Sequence, residues 1–170
     1  MRRLNRALLL LGIAFATAAC KRHAHTQPSQ ELLSVLAMDD PRADAHLPRG
    51  FYPPEGGSWR WTAGKFSVIL RPPPGASHYG ARLELKLNLP DAVLKQAGAP
   101  ALAAEIAGTQ LAPETFAKAG NYIYARDVPA SLLGGDSVEI DFATDKPIPA
   151  GKLEKRELGL IVTSVGLVLK

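Results

Sequence analysis

Apolar and polar positions alternate along most of this chain, and the last fifteen residues break the alternation. In Arg156 to Lys170 (RELGLIVTSVGLVLK), apolar residues crowd both parities after Glu157. Such a run predicts a strand covered on both faces, near the middle of a sheet. Leu158, Leu160 and Val162 share one parity, and Val165, Leu167 and Leu169 share the other. A strand of period two cannot change face without an extra residue, so a bulge or kink is expected between Thr163 and Gly166.

Upstream, the alternation is cleaner. In Ala81 to Leu89, Leu83, Leu85, Leu87 and Leu89 alternate with Arg82, Glu84, Lys86 and Asn88, which predicts a strand with one wet face. In Ser137 to Thr144, Val138, Ile140 and Phe142 are expected inward. In Lys65 to Arg71, Phe66, Val68 and Leu70 share a face. Trp59 to Thr62 (WRWT) predicts a short strand with Trp59 and Trp61 on one face and Arg60 and Thr62 on the other, separated from the next strand by a turn at Ala63-Gly64. Leu102 to Ala107 and Asn121 to Ala125 complete a set of roughly seven short strands. Pro72 to Gly80 (PPPGASHYG) cannot be a strand interior and predicts a loop. Pro90 to Ala97 predicts one or two helical turns ending at Gly98, and Pro129 to Leu133 at most one turn.

One segment carries a different period. In Ser29 to Met38 (SQELLSVLAM), Leu32, Leu33 and Leu36 make a stripe at helical spacing behind a Ser29 cap, and Asp39-Asp40-Pro41 stops it. This predicts the chain's best helix. Asp40 to Gly50 reads as irregular linker, with Asp39, Asp40, Asp44 and His46 as solvated loop residues. The fold expected is therefore all-β, an antiparallel β-sandwich of jelly-roll-like form over residues 50–170. Residues 20–49 should hold a tether and the one short helix.

The amino terminus adds an address. Arg2, Arg3 and Arg6 precede a short apolar run, Leu8 to Phe15, then Ala16 to Ala19 and the sole cysteine, Cys20. Residues 1–19 read as a signal peptide, because the apolar run is too short to span a bilayer. The arrangement resembles the bacterial lipoprotein signal, with Thr17 standing where an aliphatic residue is usual. That resemblance implies that Cys20 becomes the acylated first residue of the mature protein. Lys21 after it would imply the outer membrane, with the domain in the periplasm. An ordinary secretory signal leaving a free thiol is the alternative reading. Lys21 to Pro28 is polar and suits a flexible tether, and the His23–His25 pair on it lacks further ligands nearby.

Charge narrows the partners. The whole chain carries +4, and losing Arg2, Arg3 and Arg6 with the leader leaves +1. A near-neutral body without a Lys/Arg stripe gives no footprint for nucleic acid. No nucleophile motif, phosphate loop or metal-ligand spacing is present, so no catalytic residue, metal or cofactor is expected. Glu55, Asp127 and Glu157 are carboxylates that a glycosidase could use only if two of them came together across a substrate. The more specific candidates are aromatic. Tyr52, Trp59, Trp61 and Tyr79 could form a platform for the C–H face of a sugar. Trp61 is expected in the core, while for Trp59 core and platform are both open. Arg60 is either solvated or paired with Glu157.

Four short stretches carry a resemblance. Gly50 to Glu55 (GFYPPE), Arg60-Trp61-Thr62, Gly120 to Tyr124 (GNYIY), and Arg156 to Val162 with Val165-Gly166-Leu167 are similar to a carbohydrate-binding-like β-sandwich domain. That domain is found adjunct to bacterial glycosyltransferases and in stand-alone secreted proteins. It implies a jelly-roll-like sandwich without catalysis. The function expected is that of a lipid-anchored envelope protein recognising a glycan or an envelope partner. The alternative is a structural lipoprotein that docks a protein, by a strand edge or the Leu32/Leu36 helix, and binds no small ligand.

Overall fold

The computed structural model describes residues 31–151 and 154–170. The leader, Cys20, the tether with His23 and His25, and the Ser29 cap lie outside the described residues. The fold is all-β: nine antiparallel strands make one sheet curled into a nearly closed, barrel-like shape. In chain order they are β1 (Val35–Ala37), β2 (Arg49–Phe51), β3 (Arg60–Leu70), β4 (Ala81–Leu89), β5 (Ala101–Ile106), β6 (Thr109–Thr115), β7 (Gly120–Val128), β8 (Val138–Thr144) and β9 (Ile161–Val168). The main path runs β6-β5-β8-β3-β9-β4-β7, with β1 on β9 and β2 on β3. Short helices are α1 (Ala43–His46), α2 (Ala76–Tyr79) and α3 (Asp91–Ala97).

β9 is central in the sheet, as its composition predicts, but it is covered on one face only: Thr163 is exposed and Ile161, Ser164 and Val168 are half-buried on the other. It pairs with β4 on one edge and with β1 and β3 on the other. Its register against β4 jumps between Lys86↔Ser164 and Leu87↔Val162, so Thr163 is the extra residue. That bulge lets Leu160 and Val162 and then Val165 and Leu167 all enter the core, each at most 1% exposed. Across the core lie Leu83 to Leu89 of β4, Phe66, Val68 and Leu70 of β3, and Ile140 and Phe142 of β8, the faces expected from alternation. Phe66 stacks on Phe142 with centroids 5.0 Å apart.

β3 is one continuous strand, and the expected turn at Ala63-Gly64 is absent. The strand crosses from one half of the sheet to the other there. Arg60 and Trp61 pair with β9, and Lys65 to Leu70 pair with β8. β3 and β9 then diverge, leaving each an open edge. The segment read as tether, helix and linker fills both edges. β1 lies along β9 (Leu36↔Val165) and β2 along β3 (Phe51↔Thr62).

The predicted helix over Ser29–Met38 is therefore corrected. Its described part is coil and strand, and Leu36 and Met38 are fully buried between the open edges. Tertiary pairing overrides a weak local preference here. His46, expected in solvent, is 1% exposed, and its Nδ1–H donates to the Ile69 carbonyl at 2.8 Å. The sheet thus begins at Val35, ahead of the expected boundary at residue 50.

β6 was not expected as a strand. It forms a hairpin with β5 through Ala107 and Gly108, both at positive φ (48° and 78°). Its free edge faces β7, where the seam is closed by side chains. Tyr124 Oη donates to the Ala112 carbonyl at 2.9 Å, and Arg126 reaches the Ala112 and Pro113 carbonyls and Glu114.

Candidate aromatic corner

At the start of β3 the sheet turns a corner, and the aromatic residues collect on its outside. Arg60 and Thr62 face inward. Arg60 is 7% exposed, its Nε donating to the Met38 carbonyl at 3.1 Å and its Nη1 bonding Asp44 at 2.8 Å. Strand parity then turns Trp59 and Trp61 outward. Both are half-buried, with ring centroids 6.4 Å apart and planes at 84°. Trp61 therefore leans on the core from outside instead of filling it, which corrects the expectation. Arg60 is neither solvated nor paired with Glu157, because the β1–α1 segment supplies its acceptors.

Trp59 is held by a tight hairpin. Glu55 and Trp59 form an isolated bridge, and the indole lies over Gly56. Gly56 has φ of 57°, and a Cβ there would come within 2.6 Å of Trp59 Nε1, so no larger residue fits. Tyr52 stands beside them, its backbone N–H donating to the Trp61 carbonyl at 3.0 Å.

The segment before β9 is stitched onto the same corner. Leu160 N–H donates to Thr62 Oγ1 at 3.0 Å, Gly64 N–H donates to Glu157 Oε1 at 2.7 Å, and Tyr52 Oη donates to the Glu157 carbonyl at 2.8 Å. Arg156 lies over the Tyr52 ring at 5.0 Å and joins two carboxylates. Its fork binds Glu154 at 3.0 and 2.9 Å, and its Nη1 binds Glu55 at 2.6 Å. The Arg156 side chain holds the Glu154 carboxyl down at about 2, and the two glutamates hold the guanidinium pKa above its usual value. Beside Trp61 runs a groove of about 510 Å³, walled by Pro90 and Val93 near α3 and by Ile148, Pro149 and Leu158.

Of the four aromatic candidates, the structure brings Tyr52, Trp59 and Trp61 together and sets Tyr79 apart. Tyr79 ends α2, just before β4, whereas Trp61 adjoins Ile161, which pairs with Asn88 at the far end of β4. At about 3.3 Å per residue, the length of β4 puts roughly 25 Å between them. Sequence reasoning missed the Arg156–Glu55–Glu154 set and the groove. The signal available was Glu55 and Arg156 sitting in two of the short motifs; their meeting depends on the fold. Asp127, the third carboxylate considered, pairs with Lys170 instead. Among the described residues no cluster of three His, Cys, Asp or Glu could hold a metal, and no helix is long and apolar enough to cross a membrane. No protein-family description matches the chain, and no curated protein sequence matches it.

Proposed function

We propose that this is a lipid-anchored, non-catalytic protein of the bacterial outer membrane, with its domain in the periplasm. The aromatic corner recognises a glycan or an envelope partner, as the resemblance to carbohydrate-binding-like domains implies. The observation that carries this reading is the pair of half-buried, mutually perpendicular tryptophans on the outside of the sheet. They sit on a corner supported by hydrogen bonds, the Gly56 contact, the Arg156 ion pairs and packing of Trp61 on the core. Fixed aromatic faces lose little freedom when a ligand packs on them. Glu55, Glu154 and Arg156 beside them offer acceptors and donors for hydroxyl or amide groups. Glu154 is held ionised by Arg156, which suits it to accept hydrogen bonds from such groups.

The test is binding of the purified full chain to envelope glycans, peptidoglycan fragments included, followed by intrinsic tryptophan emission. Trp59→Ala and Tyr52→Ala should each weaken binding roughly tenfold, the loss of one aromatic contact of about 1.4 kcal/mol. Tyr79→Ala should leave binding unchanged. Undiminished binding in both corner variants would overturn the site.

A further inference from the structure

The chain enters the fold at the pole opposite the aromatic corner. Leu33 and Ser34 bridge the two strand ends there: Arg71 N–H donates to the Leu33 carbonyl at 2.9 Å and Leu167 N–H to the Ser34 carbonyl at 2.7 Å. Tyr79, Leu169 and Lys170 share this pole, since Lys170 Nζ lies beside Gly80 and Val168 pairs with Arg82. Of the four large apolar side chains exposed among the described residues, Ile123 lies on β7 and the other three lie at or next to this pole. Tyr79 is 79% and Leu169 56% exposed, and Val35, 53% exposed, lies on the strand that enters from this pole. Leu32, Leu33, Pro72 and Pro74 line a shallow depression next to them.

We infer that this pole is a lipid-contacting surface, seated on the bilayer that holds the acylated Cys20, so that the aromatic corner points away from the membrane. The inference rests on the lipid-anchor reading above. Two observations carry it. Ten residues, 21–30, separate Cys20 from the described fold, so the entry point stays within roughly 40 Å of the anchor even when that stretch is fully extended. A tethered surface meets the bilayer at high effective concentration, so a few apolar side chains suffice. The side chains are also of interfacial type: a tyrosine with an apolar body and polar tip, and a leucine. Electrostatics is not the driver, because Arg71 is matched by Glu31 at 2.6 Å and Lys170 by Asp127 at 3.3 Å. The contact should therefore persist at high salt.

Both tryptophans of the chain lie at the opposite pole, which supplies the readout. The acylated full-length protein is reconstituted in phosphatidylethanolamine–phosphatidylglycerol vesicles containing lipids with a nitroxide near the glycerol backbone. Trp59 and Trp61 emission should be unaffected by the nitroxide. A Tyr79→Trp variant carrying Trp59→Phe and Trp61→Phe should lose about half its emission, as expected for a ring within the interfacial layer. Leu169→Trp in the same background gives a second reporter should the first fail to fold. Protein that floats with the vesicles and shows a mass for acylated Cys20, yet has an unquenched reporter or quenched native tryptophans, overturns the inference and leaves the anchor standing. An unmodified Cys20 with no flotation overturns both.

Discussion

The two poles of the sheet expose aromatic residues on opposite terms. At the aromatic corner, Tyr52, Trp59 and Trp61 are half-buried, and each is fixed by neighbours: a carbonyl for the Tyr52 hydroxyl, Gly56 beneath Trp59, and the inward Arg60 and Thr62 that orient Trp61. At the entry pole, Tyr79 projects from a four-residue helix and touches little. A fixed ring suits a ligand of defined shape, because its orientation is settled before binding. A loosely held ring suits a surface without shape, such as lipid headgroups. The difference lies in the supporting residues, so it can be broken from the support outward.

Besides β3, β4 and β9, the poles are joined by the stretch from Leu33 through β1, α1 and β2 to Tyr52. Leu36 is its deepest anchor, fully buried opposite Val165. Leu36→Ala should cost about 2–5 kcal/mol, the range for truncating a buried leucine. Urea denaturation measures this, and a tether residue would cost next to nothing. Hydrogen exchange should show the corner loosening with it, because Arg60 loses its hold on the Met38 carbonyl.

Next in size is Thr62→Val. The shape is kept, but the buried Leu160 N–H loses its acceptor, Thr62 Oγ1. An unpaired buried amide costs about 1–3 kcal/mol. The same variant should release the segment before β9 from the corner and red-shift tryptophan emission, while lipid contact at the other pole is unchanged. Equal effects at both poles would mean that they are not separately supported.

How far the sequence could foresee this follows from where local pattern decides. The bulge at Thr163 was legible because two apolar parities in one strand admit only one solution. The faces of β3, β4 and β8 were legible for the same reason. Residues 31–38 were not, since ELLSVLAM satisfies a helical stripe and a strand alternation alike. The choice was made by open edges on β3 and β9 that no local window contains. Trp61 is expected inward because tryptophan is usually buried, and the Met38 carbonyl and Asp44 that turn Arg60 inward instead lie on a segment that no local window joins to it. β6 carries Pro113, a residue that argues against a strand interior, yet it sits on an edge where Arg126 takes its carbonyl. Tyr52, Trp59 and Trp61 were close in sequence and came together. Tyr79, expected beside them on a neighbouring loop, is separated from them by the length of nine-residue β4.

A smaller effect separates the corner's ionic support from its packing. Glu154 has a folded-state pKa of about 2 against an ordinary 4.5, so its contribution to stability is present above about pH 4.5 and is lost as pH falls toward 2. Arg156 causes this, and Tyr52 lies under the same guanidinium. Arg156→Met should therefore flatten the change in tryptophan emission between pH 5 and pH 2. It should leave global stability nearly unaltered, because exposed ion pairs are screened. Asp40, held at about 2 by Arg42, titrates in the same window, so the readout is the difference between wild type and variant.

The smallest expected effect is the most telling about the entry pole. Tyr79→Ser removes a side chain that is 79% exposed and whose ring lies edge-on to the adjacent His78, at 6.4 Å between centroids. Stability should stay within about 0.5 kcal/mol, as for other surface substitutions. A larger loss would mean that Tyr79 is a packed residue and that the two poles differ less than their exposures indicate. With stability unchanged, what remains is orientation. The variant should remain anchored through its acyl chains but sample more tilts at the bilayer. Hydrogen exchange on vesicles should then lose the protection that the α2 turn gains there in the wild type. The aromatic corner, held by its own contacts, should exchange alike in both proteins.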